Sequence, residues 1–143
     1  MPRIPIHFFS EDTAYKLKEK ILIRNWVRNT IIAEGYNLGE LNFIFSSDNY
    51  LLDINKQYLN HDTYTDIITF DNSETEKLII GDIFISIDRI KENSLEFQVS
   101  ERDELHRVMI HGTLHLLGYP DKGAKAKKIM TSKEDHYLSL RPF

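Results

Sequence analysis

The patterning of this chain predicts an α/β (α+β) fold, a small mixed sheet of about four strands with helices packed around it. Two observations carry that reading. Short runs rich in β-branched and aromatic residues alternate with longer stretches of helical spacing, and no internal repeat, linker or low-complexity tract interrupts them. The chain has 143 residues, 41% of them hydrophobic and 28% charged, which suits one domain over 1–143 with a real core.

Ile4 to Phe9 reads as the first strand, with Pro5 near its start. Ser10 or Asp12 offers a side-chain cap for a long helix to about Glu34. Its apolar positions Leu17, Ile21, Leu22, Trp26, Val27 and Ile31 follow helical spacing, and Gly35 stops it. Leu41 to Ser46 is a second strand, after which Ser47 or Asp48 opens a helix through Leu51, Ile54, Tyr58 and Leu59. A polar loop from Asn60 to Tyr64 leads to a third strand, Asp66 to Phe70, and Asp71 to Lys77 is a turn. Leu78 to Ile87 is nearly continuously apolar, the mark of a strand buried on both faces. Asp88 begins a helix to about Phe97, the Ser100–Asp103 box begins another, and a last helix covers about Ala124 to Leu140.

The helix that starts at Ser100 carries the chemistry. His111 and His115 stand four residues apart, so both imidazoles lie on one helix face and can point at one cation. Gly118 can end the helix in the left-handed conformation, Pro120 cannot continue it, and the turn can return Asp121 as a third ligand. Three N/O ligands with one open position is the arrangement of catalytic zinc centres. The alternative for such a histidine pair is a surface coincidence or two buried, hydrogen-bonded rings, with Asp121 merely nearby. Apolar neighbours such as Ile110 and Leu114 favour a metal, because an unpartnered imidazole among them would cost free energy. Spacing also agrees with the zinc-peptidase pattern His-Glu-x-x-His-x-x-Gly-x-x-His, except that Gly112 stands where that pattern has its glutamate base.

Three ordered segments resemble the YbeY family of bacterial rRNA-maturation endoribonucleases. The family's His-Gly-x-Leu-His-Leu-x-Gly-Tyr-Asp-His is similar to the run from His111 to Asp121, with Pro120 in place of the aspartate and Asp121 in place of the third histidine. Its Leu-Asn-x-x-Tyr-Arg-x-x-Asp-x-Pro-Thr-Asp-Val-Leu-Ser-Phe is similar to Ile54 through Phe70, with Leu59 in place of the arginine, and its Gly-Asp-Ile strand to Gly81-Asp82-Ile83. The resemblance implies a zinc-dependent, single-strand-specific endoribonuclease of 16S rRNA 3′ maturation and ribosome quality control. It also implies rRNA and the small ribosomal subunit as partners, with no DNA expected. Without the arginine, phosphate recognition falls to His61 or to the lysine cluster after the motif, led by Lys122 and Lys125. The general base is unassigned; Asp66 and Asp82 are the nearest carboxylates by motif, each with a structural role available.

Composition narrows the classes. There are no cysteines, which excludes disulfides and thiolate metal sites. No apolar run reaches the roughly 20 residues of a membrane span, and Met1 to Pro5 lacks the apolar stretch of a secretory signal, so a cytoplasmic protein is expected. The formal net charge of −4 argues against coating nucleic acid, although Lys122, Lys125, Lys127, Lys128 and Lys133 form a local basic run. An early basic group, Lys16, Lys18, Lys20, Arg24 and Arg28, reads as a solvated helix face. Two further readings stay open: a metallohydrolase of a peptide or amide bond, and a ribosome-assembly RNA-binding factor whose metal is structural.

Overall fold

The computed structural model describes residues 3–61 and 63–143. Its elements are β1 (Ile6–Glu11), α1 (Lys20–Ala33), β2 (Asn37–Ser46), α2 (Asp48–Leu59), β3 (Ile67–Asp71), β4 (Leu78–Ser86), α3 (Ile87–Phe97), α4 (Glu101–Leu116) and α5 (Ala124–Ser139). The strands form one four-stranded sheet in the order β1-β2-β4-β3. β1 and β4 run parallel to β2, whereas β3 is an antiparallel edge strand on β4. The sheet is therefore mixed, as the alternation of strands and helices predicts.

Alternation along the strands sorts the sheet into two faces. Leu41, Phe43 and Phe45 of β2 lie level with Gly81, Ile83 and Ile85 of β4, and these join the main core with Ile23, Trp26, Val27 and Ile31 of α1 and Met109 and Leu114 of α4. The other face carries Ile44, Asp82, Phe70 and Phe84, with Tyr58 of α2 edge-on to Phe70 at 5.9 Å. Trp26 donates through Nε1 to the carbonyl of Tyr137 at 2.8 Å, tying α1 to α5 across the core.

The first helix departs from its sequence reading. It begins at Lys20, not at Ser10 or Asp12, because β1 continues to Glu11 and the following segment is held by tertiary contacts. The Ser10 hydroxyl donates to the Tyr15 carbonyl at 2.6 Å, the Tyr15 ring meets Phe45 edge-on at 5.4 Å, and Asp12 and Glu19 adopt positive φ. The buried stripe is consequently Ile23, Trp26, Val27, Thr30 and Ile31, while Ile21 and Leu22 face outward. The early basic group is not one helix face either: Lys16 and Lys18 precede the helix, and Arg24 donates to the Ile6 carbonyl at 2.9 Å. β2 starts four residues earlier than its hydrophobic run suggests, since Asn37–Glu40 extend the ladder onto β4 across a register shift.

Candidate metal centre

α4 starts where its sequence says: the Ser100 hydroxyl accepts the Asp103 N–H at 3.0 Å, and Glu101 and Asp103 place negative charge on the first turn. The helix lies close against the sheet. A Cβ on Gly112 would stand 2.7 Å from Ile67 Cδ1 and 3.0 Å from Ile83 Cγ2, so any side chain there would have to displace these isoleucines. The flank next to this contact carries His111 and His115, both partly buried, with ring centroids 4.4 Å apart.

The chain then turns sharply. Gly118 has φ 98°, its N–H bonds the His115 carbonyl, and the Tyr119 N–H bonds the Leu114 carbonyl, which together form a Schellman stop. Two tyrosines pin this turn: Tyr36 Oη donates to the Leu117 carbonyl at 3.1 Å, and Tyr119 Oη donates to Glu34 at the end of α1. Glu34 also receives Tyr137 Oη and Lys133 Nζ. Burial raises its pKa and these donors more than offset that, so the carboxylate stays charged.

The pinned turn delivers Asp121 to the histidines. Its Oδ2 lies 3.3 Å from His111 Nε2 and 3.2 Å from His115 Nε2. One ligand atom from each of the three residues lies within 4.8 Å of the others, and the group could hold a metal ion. The donor set fits a borderline cation: two imidazole nitrogens and a carboxylate oxygen are accepted zinc ligands, and harder oxygen ligation admits other divalent metals. The opposite edge of His111 is also engaged, with Nδ1 2.6 Å from Glu134 Oε2 of α5. Burial disfavours the charged ring, but Glu134, Asp121 and Asp66 outweigh it and raise the His111 pKa, so the site attracts positive charge.

Two cavities meet at this group. One, about 450 Å³, is lined by Asn55, Leu59, His61, Tyr64, Asp66, His111, His115 and Asp121 among others. The second, about 790 Å³, reaches from His111, Asp121 and Glu134 along Glu104 and Arg107 towards Phe97 and Arg141. Asp66 lines both, and burial raises its pKa. Asp82 belongs elsewhere: its carboxylate accepts from Asn42 and Asn72 at 2.9 and 3.2 Å, a structural role on the far face of the sheet.

The structure thus brings His111, His115 and Asp121 together and sets His61 and Leu59 in the wall of the adjoining cavity. Lys122 and Lys125 are exposed just beyond Asp121 and line neither cavity. Asp62 of the upstream motif lies outside the described residues. Sequence reasoning missed Glu134, Arg107 and Glu104. A usable signal existed for the first: Met130, Glu134 and Tyr137 form the buried stripe of α5, and a carboxylate inside such a stripe demands a charged partner.

A helix bearing two histidines one turn apart, joined by an aspartate from the following turn beside a mixed sheet, defines an α/β protein with a candidate metal centre. The family model described as Endoribonuclease YbeY matches residues 7–140, and the chain belongs to that family. It is 55% identical over 138 residues to the Endoribonuclease YbeY of Cytophaga hutchinsonii, covering 96% of each chain. It is 49% identical over 132 residues to that of Flavobacterium psychrophilum, covering 92% of this chain and 94% of the relative. Its fold is similar to the solution structure of TM1509 from Thermotoga maritima, with a TM-score of 0.66 and 28% identity over 94% of this chain and 87% of that one.

Proposed function

We propose that this chain, acting as one domain over 1–143, is a zinc-dependent endoribonuclease that cuts single-stranded RNA in 16S rRNA 3′ maturation and ribosome quality control in the cytoplasm. Membership of a family whose relatives are named endoribonucleases supports RNA hydrolysis. The observation that carries the reading is the convergence of His111 Nε2, His115 Nε2 and Asp121 Oδ2 at the mouth of two cavities. Zinc held there would supply Lewis acidity for attack of water on a phosphodiester. His111, His115 and Asp121 would hold the ion, and Asp66, on the wall common to both cavities, would be the carboxylate to accept a proton. His61, in the wall of the smaller cavity, would meet RNA entering there, and Lys122 and Lys125, exposed just beyond Asp121, would offer positive charge to its phosphates. No helix among the described residues is long and apolar enough to cross a membrane.

Gly112 weighs against the peptidase reading. It faces Ile67 and Ile83 with no space for a glutamate base. Leu59 keeps the assembly-factor reading in play, because it lines the cavity where an arginine would contact phosphate. The decisive experiment pairs elemental analysis of the purified chain with cleavage of single-stranded rRNA fragments with and without chelator. Zinc near one equivalent and chelator-sensitive cleavage is the expected result. Metal-loaded protein that binds rRNA and leaves it whole selects the assembly factor. In the same assays His115→Ala abolishes metal retention, and Asp121→Ala weakens it; unchanged occupancy in the latter removes Asp121 as a ligand.

A further inference from the structure

We propose that Glu134 orients His111 for metal binding and that Arg107 is a positioning residue holding Glu134 in place. The inference rests on the metal reading above and assigns the support behind one ligand. Glu134 reaches His111 from a different helix, 23 positions along the chain, and its side chain is only 8% exposed. With Oε2 at 2.6 Å from Nδ1, the carboxylate holds the ring proton on that nitrogen and leaves Nε2 facing Asp121. The other oxygen accepts Arg107 Nη1 at 2.8 Å, and Arg107 Nη2 reaches Asp135 at 2.6 Å. Both carboxylate oxygens are therefore committed, so neither is available as a free ligand without breaking a charge-assisted bond.

Arg107 precedes His111 by four residues, so one face of α4 presents both the ligand and the cation that locks its support. A buried carboxylate is costly to keep unless paired on both sides, which this one is. The two histidines are held unequally: among the described residues the polar side-chain partner of His115 is Asp121 alone, whereas His111 is gripped from both ring nitrogens.

The test measures Zn2+ and Co2+ affinity by chelator competition in the full chain, with the visible absorption of the Co2+ form as a signature of ligand geometry. Glu134→Ala is expected to lose roughly 10–100-fold in affinity and to change the Co2+ spectrum. Glu134→Gln, which keeps an oxygen for the Nδ1 proton, loses less. Arg107→Met weakens binding in the same direction, and Arg107→Lys recovers part of it. Circular dichroism identifies any variant that fails to fold, and the Gln and Lys variants then carry the comparison. Folded Glu134 variants with parental affinity and an unchanged Co2+ spectrum overturn the inference while leaving the metal reading intact. A parental chain that binds neither ion overturns both.

Discussion

Gly112 and Glu104 sit on the same helix as the ligands and make opposite demands on substitution. Gly112 meets the sheet so closely that even a methyl group would press on Ile67 and Ile83. Gly112→Ala should therefore cost on the order of 1 kcal/mol, overpacking against the isoleucines less the ~1 kcal/mol that alanine gains in a helix, read from the urea midpoint, and should also loosen metal retention because His111 is its neighbour. Glu104 is buried, and desolvation with the nearby charges of Asp66 and Glu134 pushes its carboxyl up to about 7, against the pull of Arg107. Its folded pKa lies above its ordinary value, so its favourable contribution is complete at acid pH and fades as pH rises through about 7. Glu104→Gln, permanently neutral and nearly isosteric, should thus be more stable than the parent at pH 8 by on the order of 1–2 kcal/mol, with the gap closing towards pH 5. A gap that widens on acidification would refute the assignment. The shared face of His111 and His115 was legible from spacing, since i and i+4 on a helix leave little freedom. Glu104 was not, because its environment is made by Asp66 and Glu134 from distant parts of the chain.

The turn between α4 and α5 is the element on which the site depends. Its left-handed Gly118 and the Tyr119–Glu34 bond decide where Asp121 points. Gly118→Ala is expected to cost about 1–2 kcal/mol, the penalty for an L residue in that conformation. Tyr119→Phe removes a bond to a charged acceptor and should cost about 1.5–3 kcal/mol. In both variants metal affinity falls while the α4 helix persists, as circular dichroism would record. The stop itself was readable, because Gly118 and Pro120 allow few alternatives after a run of helical apolar positions. Its anchors were not, since Glu34 and Tyr36 come from the first third of the chain. The start of α1 shows the reverse failure. Ser10 and Asp12 are good caps by local preference, but the Tyr15–Phe45 contact and the longer β1 take that segment out of the helix.

For the whole molecule, the candidate centre links α4, the following turn and α5, so an ion bound there would couple to folding. Saturating zinc at about 100 times its dissociation constant should raise unfolding free energy by about 2.7 kcal/mol, and chelator should return it to the baseline. His115→Ala should erase that zinc-dependent increment in the thermal midpoint. The mixed sheet was legible because each strand carries its own apolar run; its order was not, because pairing of β3 with β4 and of β2 with both neighbours is settled by packing between distant segments.

Trp26 is the single tryptophan of the chain, sealed between α1 and α5 beside His106 and Phe143. Nature has thus installed an optical reporter at the seam where the last helix docks. Its emission maximum and quenching by iodide register whether that helix, which also carries Glu134, is seated. A stopped-flow trace of this fluorescence on mixing with chelator would time how quickly the far end of the fold senses an empty centre, without any label.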